Sequence, residues 1–153
     1  MFGGTHYQNA YITRDIAAAA DHLCFDGSGL NFKIFDVTYD VTTPKGPGQA
    51  TSKLGFAWIG DMQYELIEPV SGMVDIYSDA LPADNSLQFH HAAFRVADWD
   101  ALRQQVSRSG LAVVFEGGGD ALKFLYVDAR GLLGHHLEYV WATDERWAQV
   151  RGI

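Results

Sequence analysis

The chain has a single cysteine, no basic run and no long apolar stretch, and each of these lacks removes a class of protein. Cys24 alone cannot close an internal disulfide and has no cysteine partner for a zinc knuckle, which fits a reducing compartment. Its local reading is a small packed residue at a helix end. The chain carries 11 Lys plus Arg against 19 Asp plus Glu, a formal charge of −8, so nucleic acid or an anionic membrane would meet long-range repulsion. No stretch approaches the apolar length needed to cross a bilayer, and the opening MFGGTHYQNAY has neither a basic n-region nor an apolar h-region. The expectation is a soluble cytoplasmic protein without nucleic-acid or membrane partners.

What is present is an ordinary globular composition, 48% hydrophobic and 20% charged, far from compositions that stay disordered. A length of 153 residues suits one compact domain, 1–153, with a real core. Inside it the spacing repeats: Gln8 precedes Asp15 by seven positions and His91 precedes Asp98 by seven, and each Asp opens a helical pattern. The repeat divides the chain into a first module at 5–69, a connection at 70–87, a second module at 88–142, and a C-terminal helix or tail at 143–153.

Period-two alternation marks Tyr7 to Thr13 as a strand, with Gln8 on the same face as His6. Thr13 or Asp15 can cap the following helix, and Gly27, Ser28 and Gly29 stop it. Asn31 to Tyr39 alternates as a second strand. Asp40 to Lys53, rich in Thr, Pro and Gly and without periodicity, reads as a lid or mouth loop. Leu54–Ile59 and Met62–Glu68 form a hairpin across Gly60-Asp61, with Gln63, Glu65 and Ile67 on one face and Pro69 as its end. The connection is too apolar for a free linker and should pack on the body. Gln88 to Val96 opens the second copy, with His91, Ala93 and Arg95 on one face and His90 on the other. A helix from Asp98 or Trp99 to Ser109 stops at Gly110. Leu111–Phe115, Leu122–Val127 and His135–Trp141 are its remaining strands, the last placing His136 and Glu138 on one face. Gly117 to Gly119 reads as a turn, and Thr143 as the cap of a terminal helix. Strand, helix and three strands, twice over, give an α+β chain rather than a doubly wound one.

Four polar residues stand in these apolar strands: Gln8, Glu65, His91 and Glu138. A carboxylate among Leu, Ile, Tyr and Val needs a partner, and a metal is one candidate beside an Arg or a Tyr. An imidazole, two carboxylates and an amide oxygen make a mixed N/O set suited to Zn, Ni, Co, Mn or Fe. His6 is the rival for the first position, and with it the set would include the two-His, one-carboxylate triad of non-haem iron oxygenases. A metal so held would polarise a carbonyl and acidify the neighbouring C–H, which a carboxylate could deprotonate. Tyr126 and Trp58, with Phe56 and Tyr64, are candidates to line a substrate cavity, His136 to touch substrate, and Arg95 to anchor an anionic group.

IGDMQYELIEP and FHHAAFRV carry a resemblance to the vicinal oxygen chelate superfamily, which includes glyoxalase I, methylmalonyl-CoA epimerase, extradiol dioxygenases and antibiotic-resistance proteins. The likeness covers nearly the whole chain. The first run is similar to the epimerase-like branch in its Gly-to-Glu distance and ELxxP ending, the second to an HHxxxxV run whose second His is a ligand. A Gln, Glu, His, Glu set also resembles that of eukaryotic glyoxalase I. The resemblance implies two βαβββ modules sharing a curved mixed sheet with a concave metal-binding face, the ligands being Gln8, Glu65, His91 and Glu138. It further implies a divalent metal and an isomerase, epimerase or lyase working through a metal-stabilised enolate of a small oxo- or hydroxy-carbonyl compound. Glu138 would be the base and Glu65 the second ligand or partner acid. A metal-free resistance-type binding protein and an Fe(II) extradiol-type dioxygenase are the alternatives, and a homodimer is possible. The chain departs from the glyoxalases in HLCFDGSG after the first helix, and it has no Arg cluster suited to glutathione or to CoA phosphates.

Overall fold

A computed structural model describes residues 2–24 and 30–152. The elements run β1 (Thr5–Ile12), α1 (Ile16–Leu23), β2 (Lys33–Thr43), β3 (Gly46–Ile59), β4 (Met62–Gly72), α2 (Asp75–Ser78), β5 (Gln88–Arg95), α3 (Trp99–Ser109), β6 (Val113–Gly118), β7 (Leu122–Val127), α4 (Arg130–Leu133), β8 (His136–Ala142) and α5 (Asp144–Arg151). The fold is mixed α+β, and strand–helix–three strands occurs twice.

The two helices of the repeat start where the seven-residue spacing places them. Asp15 accepts a hydrogen bond from the Ala18 N–H and Asp98 one from the Ala101 N–H, so each satisfies an orphan donor of the first turn. Gly110, at φ 73°, takes the left-handed conformation that ends α3. The glycines expected to stop α1 lie outside the described residues. Both helices lie outside the sheet, α1 burying Ile16, Ala19 and Ala20 and α3 burying Leu102 and Val106.

The strands close into a barrel in the order β1-β4-β3-β2-β6-β7-β8-β5, with β5 returning to β1. The two parallel pairs, β1 with β4 and β5 with β8, are the equivalent pair of each module. The two modules meet at β1–β5, a long antiparallel pairing, and at β2–β6, where only Val41↔Gly117 and Thr42↔Glu116 are in register. The β2 stretch before Val41 is therefore paired on one side only, which leaves a gap in the wall.

Two readings of the sequence are corrected here. Asp40 to Lys53 is not a loop: β2 and β3 pair without interruption from Lys33↔Phe56 to Thr43↔Gly46. Pro47 and its flanking glycines are tolerated because β3 pairs with β4 only from Ala50 onward, so that end has a single neighbour. Pro69 does not end β4, which runs on to Gly72; past Ile67 the strand has lost β1 as a neighbour, and proline's missing N–H costs no ladder bond on that side. The connection between modules packs as expected, through Val74 and the fully buried Tyr77 of α2.

Candidate metal centre and ligand cavity

Two bulges decide which side chains enter the barrel. On β1 the register passes from His6↔Phe94 to Gln8↔Ala93, leaving Tyr7 as an extra residue; on β5 it passes from Ala10↔His91 to Tyr11↔Phe89, leaving His90 extra. A bulge turns the extra residue and its successor to the same side, so Tyr7 and Gln8, and likewise His90 and His91, all face inward. His6 is thereby turned outward. It is exposed, its ring stacks on Phe94 and it hydrogen-bonds Asn9 Oδ1 at 3.0 Å, so the expected sharing of a face with Gln8, and with it the role of alternative ligand, is overturned. His90 does not point away either: it packs on Tyr77, Tyr126 and His136.

Small residues set the approach of the polar ones. Ala10 stands between Glu65 on β4 and His91 on β5, and Ala93 stands between Gln8 on β1 and Glu138 on β8. Both alanines are fully buried, and their size lets the longer side chains meet across them. Glu65, His91 and Glu138 each bring a ligand atom within 4.8 Å of the others. His91 Nε2 lies 3.2 Å from Glu138 Oε2 and 3.6 Å from Glu65 Oε2. Yet it is aligned for a hydrogen bond to neither, so among the described residues it is a buried nitrogen with charged neighbours and no hydrogen-bond partner. Gln8 Nε2 donates to Gln63 Oε1 at 2.8 Å, which leaves Gln8 Oε1 orphaned as well. Two unpaired buried atoms beside two carboxylates are costly without an occupant, and a divalent cation fits this donor set.

A chain of hydrogen bonds fixes the imidazoles. The Ile76 carbonyl can only accept, so His90 Nε2, 2.9 Å away, donates to it; neutral His90 then accepts at Nδ1 from the His91 Nδ1–H, 3.0 Å away. Once His91 gives up its proton, this bond leaves it in the tautomer whose Nε2 carries a lone pair toward the carboxylates, the arrangement a metal ligand needs. Burial first, then the neighbouring His91 and His136, push His90 well below the usual histidine range and keep it neutral. For His91 itself burial opposes protonation, but the Glu138 and Glu65 carboxylates prevail and raise it to about 9. Burial raises Glu65, and His91 partly offsets this.

A cavity of about 850 Å³ opens onto Gln8, Glu65 and Glu138. Tyr126 lines it, its ring 4.7 Å from that of His91, and its hydroxyl accepts a 2.9 Å hydrogen bond from Tyr77. Phe56 also lines it, whereas Tyr64, next in the chain to both Gln63 and Glu65, packs with the α1 cluster instead. Trp58, expected in the cavity wall, is withdrawn beneath α5: its Nε1 donates to the Val150 carbonyl at 3.3 Å and Arg151 covers its ring. Arg95, expected to face substrate, is tied to α5 by Asp144 at 3.3 Å and by the Trp147 ring. His136 is inside the barrel but lines a second cavity of about 300 Å³ beside the β2–β3 tip, α2 and α4. Burial and then Arg130 lower it to about 4. Tyr7, Gln63, Tyr77 and Arg146 line the main cavity without having been singled out. Gln63 alone carried a signal, as the face-mate of Glu65; the others depend on a bulge, a connection and a terminal helix that alternation does not describe.

The chain is a closed barrel of two βαβββ modules with a buried Glu–His–Glu group that could hold a metal ion. Residues 7–126 match the family model described as Glyoxalase/Bleomycin resistance protein/Dioxygenase superfamily, and the chain belongs to that superfamily. No curated protein matches it. Among solved structures it is similar to a hypothetical protein from Bacillus halodurans at 16% identity and TM-score 0.67, covering 94% of this chain and 97% of that one. A variant of Streptomyces coelicolor methylmalonyl-CoA epimerase in complex with 2-nitronate-propionyl-CoA is similar at 18% identity and TM-score 0.66, covering 93% and 97%. The methylmalonyl-CoA epimerase of Mycobacterium tuberculosis is similar at 15% and 0.62, covering 97% of each. At these identities the likeness is one of fold.

Proposed function

We propose that this protein is a metal-dependent enzyme that moves a proton on the carbon beside a carbonyl, as an isomerase, epimerase or lyase acting on an oxo- or hydroxy-carbonyl compound. The observation that carries the reading is the convergence of Glu65 and Glu138 on His91 Nε2, a buried nitrogen that no hydrogen bond satisfies. Gln8, Glu65, His91 and Glu138 would hold the ion. A divalent cation there supplies Lewis acidity, which makes a C–H beside a carbonyl easier to ionise. Glu138, which lines the cavity, would take the proton, and Glu65, which lines it beside the same centre, would return it.

The test is exchange of the α-hydrogen of a hydroxyketone with D2O, followed by NMR on the metal-loaded protein. Exchange is expected in the native chain and lost in Glu138→Gln. Undiminished exchange in Glu138→Gln would remove it as the base.

The binding-protein reading draws on the aromatic wall of the cavity and expects tight ligand binding without conversion and without metal. The dioxygenase reading draws less support, because the converging group holds one imidazole, His91, and His6, which would have been the second, faces out.

A further inference from the structure

We infer that the main cavity is built for an uncharged aromatic compound bearing adjacent oxygen functions, and not for a CoA thioester; the adjacent oxygens, though not the aromatic body, rest on the proposed function. The wall around the carboxylates is made of Phe35, Tyr39, Phe56, Tyr77, Phe124 and Tyr126. Several of these rings already pack edge-on or tilted against one another, Tyr39 on Phe124 at 6.2 Å and Phe35 on Phe56 at 6.5 Å, so the wall presents ring edges and faces to an occupant. At about 850 Å³ the space is of a size that accepts drug-sized molecules. It is far more than a three- or four-carbon hydroxy-carbonyl fills.

Charge points the same way. Among the described residues the cavity's acidic lining beyond the two central carboxylates is Asp36, Asp40 and Asp120, and the one cationic side chain is Arg146, whose Nη1 donates to Gln149 Oε1 at 2.9 Å. Lys45 and Arg130, which could have met phosphates, line the other cavity and pair there with Asp75 and Asp128. A CoA ester would bring its phosphates to a carboxylate-lined mouth on a chain of net charge −8. Phe35, on the stretch of β2 that runs free of β6, lines this cavity and is 42% exposed, so a ring of the wall reaches the surface.

The experiment titrates the full chain, loaded with Co2+ and separately metal-free, with three probes: benzoin, acetoin and methylmalonyl-CoA. Benzoin and acetoin share the hydroxyketone and differ in the aromatic rings. Benzoin is expected to bind at least about tenfold more tightly than acetoin, since a buried ring contributes that much or more. The CoA ester is expected not to bind, and Asp36→Lys with Asp120→Lys to improve its binding. Phe56→Ala should weaken benzoin and leave acetoin unchanged. Equal binding of benzoin and acetoin, or a CoA ester that binds more tightly than benzoin, would overturn the inference even where Co2+ loads normally. If benzoin binds but the chain takes no metal, the aromatic class stands and the enzymatic reading fails.

Discussion

Ala10 and Ala93 occupy equivalent places, each two residues after an inward-facing amide or imidazole and each between two of the polar groups. Any larger side chain there would fill the volume in which those groups meet. Ala10→Val is expected to cost about 1–3 kcal/mol by overpacking and to abolish metal uptake, read by thermal melting and by metal analysis of the same sample. His90 acts through His91, so His90→Phe, which keeps a ring against Tyr126 but loses the tautomer relay, should weaken metal affinity by about 10–100-fold with the fold intact. The metal-free protein should also show a stability maximum. His91, raised to about 9, stabilises the fold fully below its unfolded value and loses that contribution as pH rises through about 9. His136, lowered to about 4, and His90, held well below the usual histidine range by burial, cost stability as pH falls below their unfolded value of 6.5. Burial-raised Glu65 opposes these two but is a single group against a pair. Melting temperatures measured without metal should therefore peak near neutrality and fall on both sides, and a melting temperature that rises steadily through about pH 9 would contradict the assigned environment of His91.

At the scale of elements, the helix starts were the most legible part of the sequence, because a cap is a local matter: Asp15 and Asp98 each satisfy a donor three residues ahead. Asp98→Ala should cost about 1 kcal/mol in thermal unfolding and leave metal binding unchanged. Strand faces were legible wherever alternation held, which is why Glu65 and Glu138 could be assigned inward from their neighbours. They failed at the two bulges, since one extra residue reverses parity on one side of it: His6 went out, while Tyr7 and His90 came in. The β2–β3 hairpin was read as a loop because Thr, Pro and Gly suggest one, yet an end of strand with one neighbour tolerates them. The terminal helix was visible from Thr143, but not what it does. α5 covers Trp58 and ties down Arg95, so it removes two expected substrate contacts and adds Arg146 to the cavity.

At the scale of the whole molecule, the barrel closes within one chain, and the pseudo-symmetric halves each deliver an inward residue from the first strand and a carboxylate from the last. Neither half holds the site alone. His91 is fully buried between carboxylates from both halves, so the centre both depends on the closure and ties it together. An ion bound there should raise the melting temperature with the logarithm of its free concentration once that exceeds its Kd, as any ligand specific for the folded state does. The claim on which everything else rests is that Glu65, His91 and Glu138 are a metal centre. Titration of metal-free full-length protein with Zn2+ and with Co2+ by isothermal calorimetry tests it most directly, with His91→Ala run alongside and its fold checked by circular dichroism. The account predicts one equivalent of bound metal per chain, with proton release near neutral pH as His91 gives up its proton, and loss of that binding in the folded variant. No binding to the native chain, or unchanged binding in His91→Ala, would contradict it.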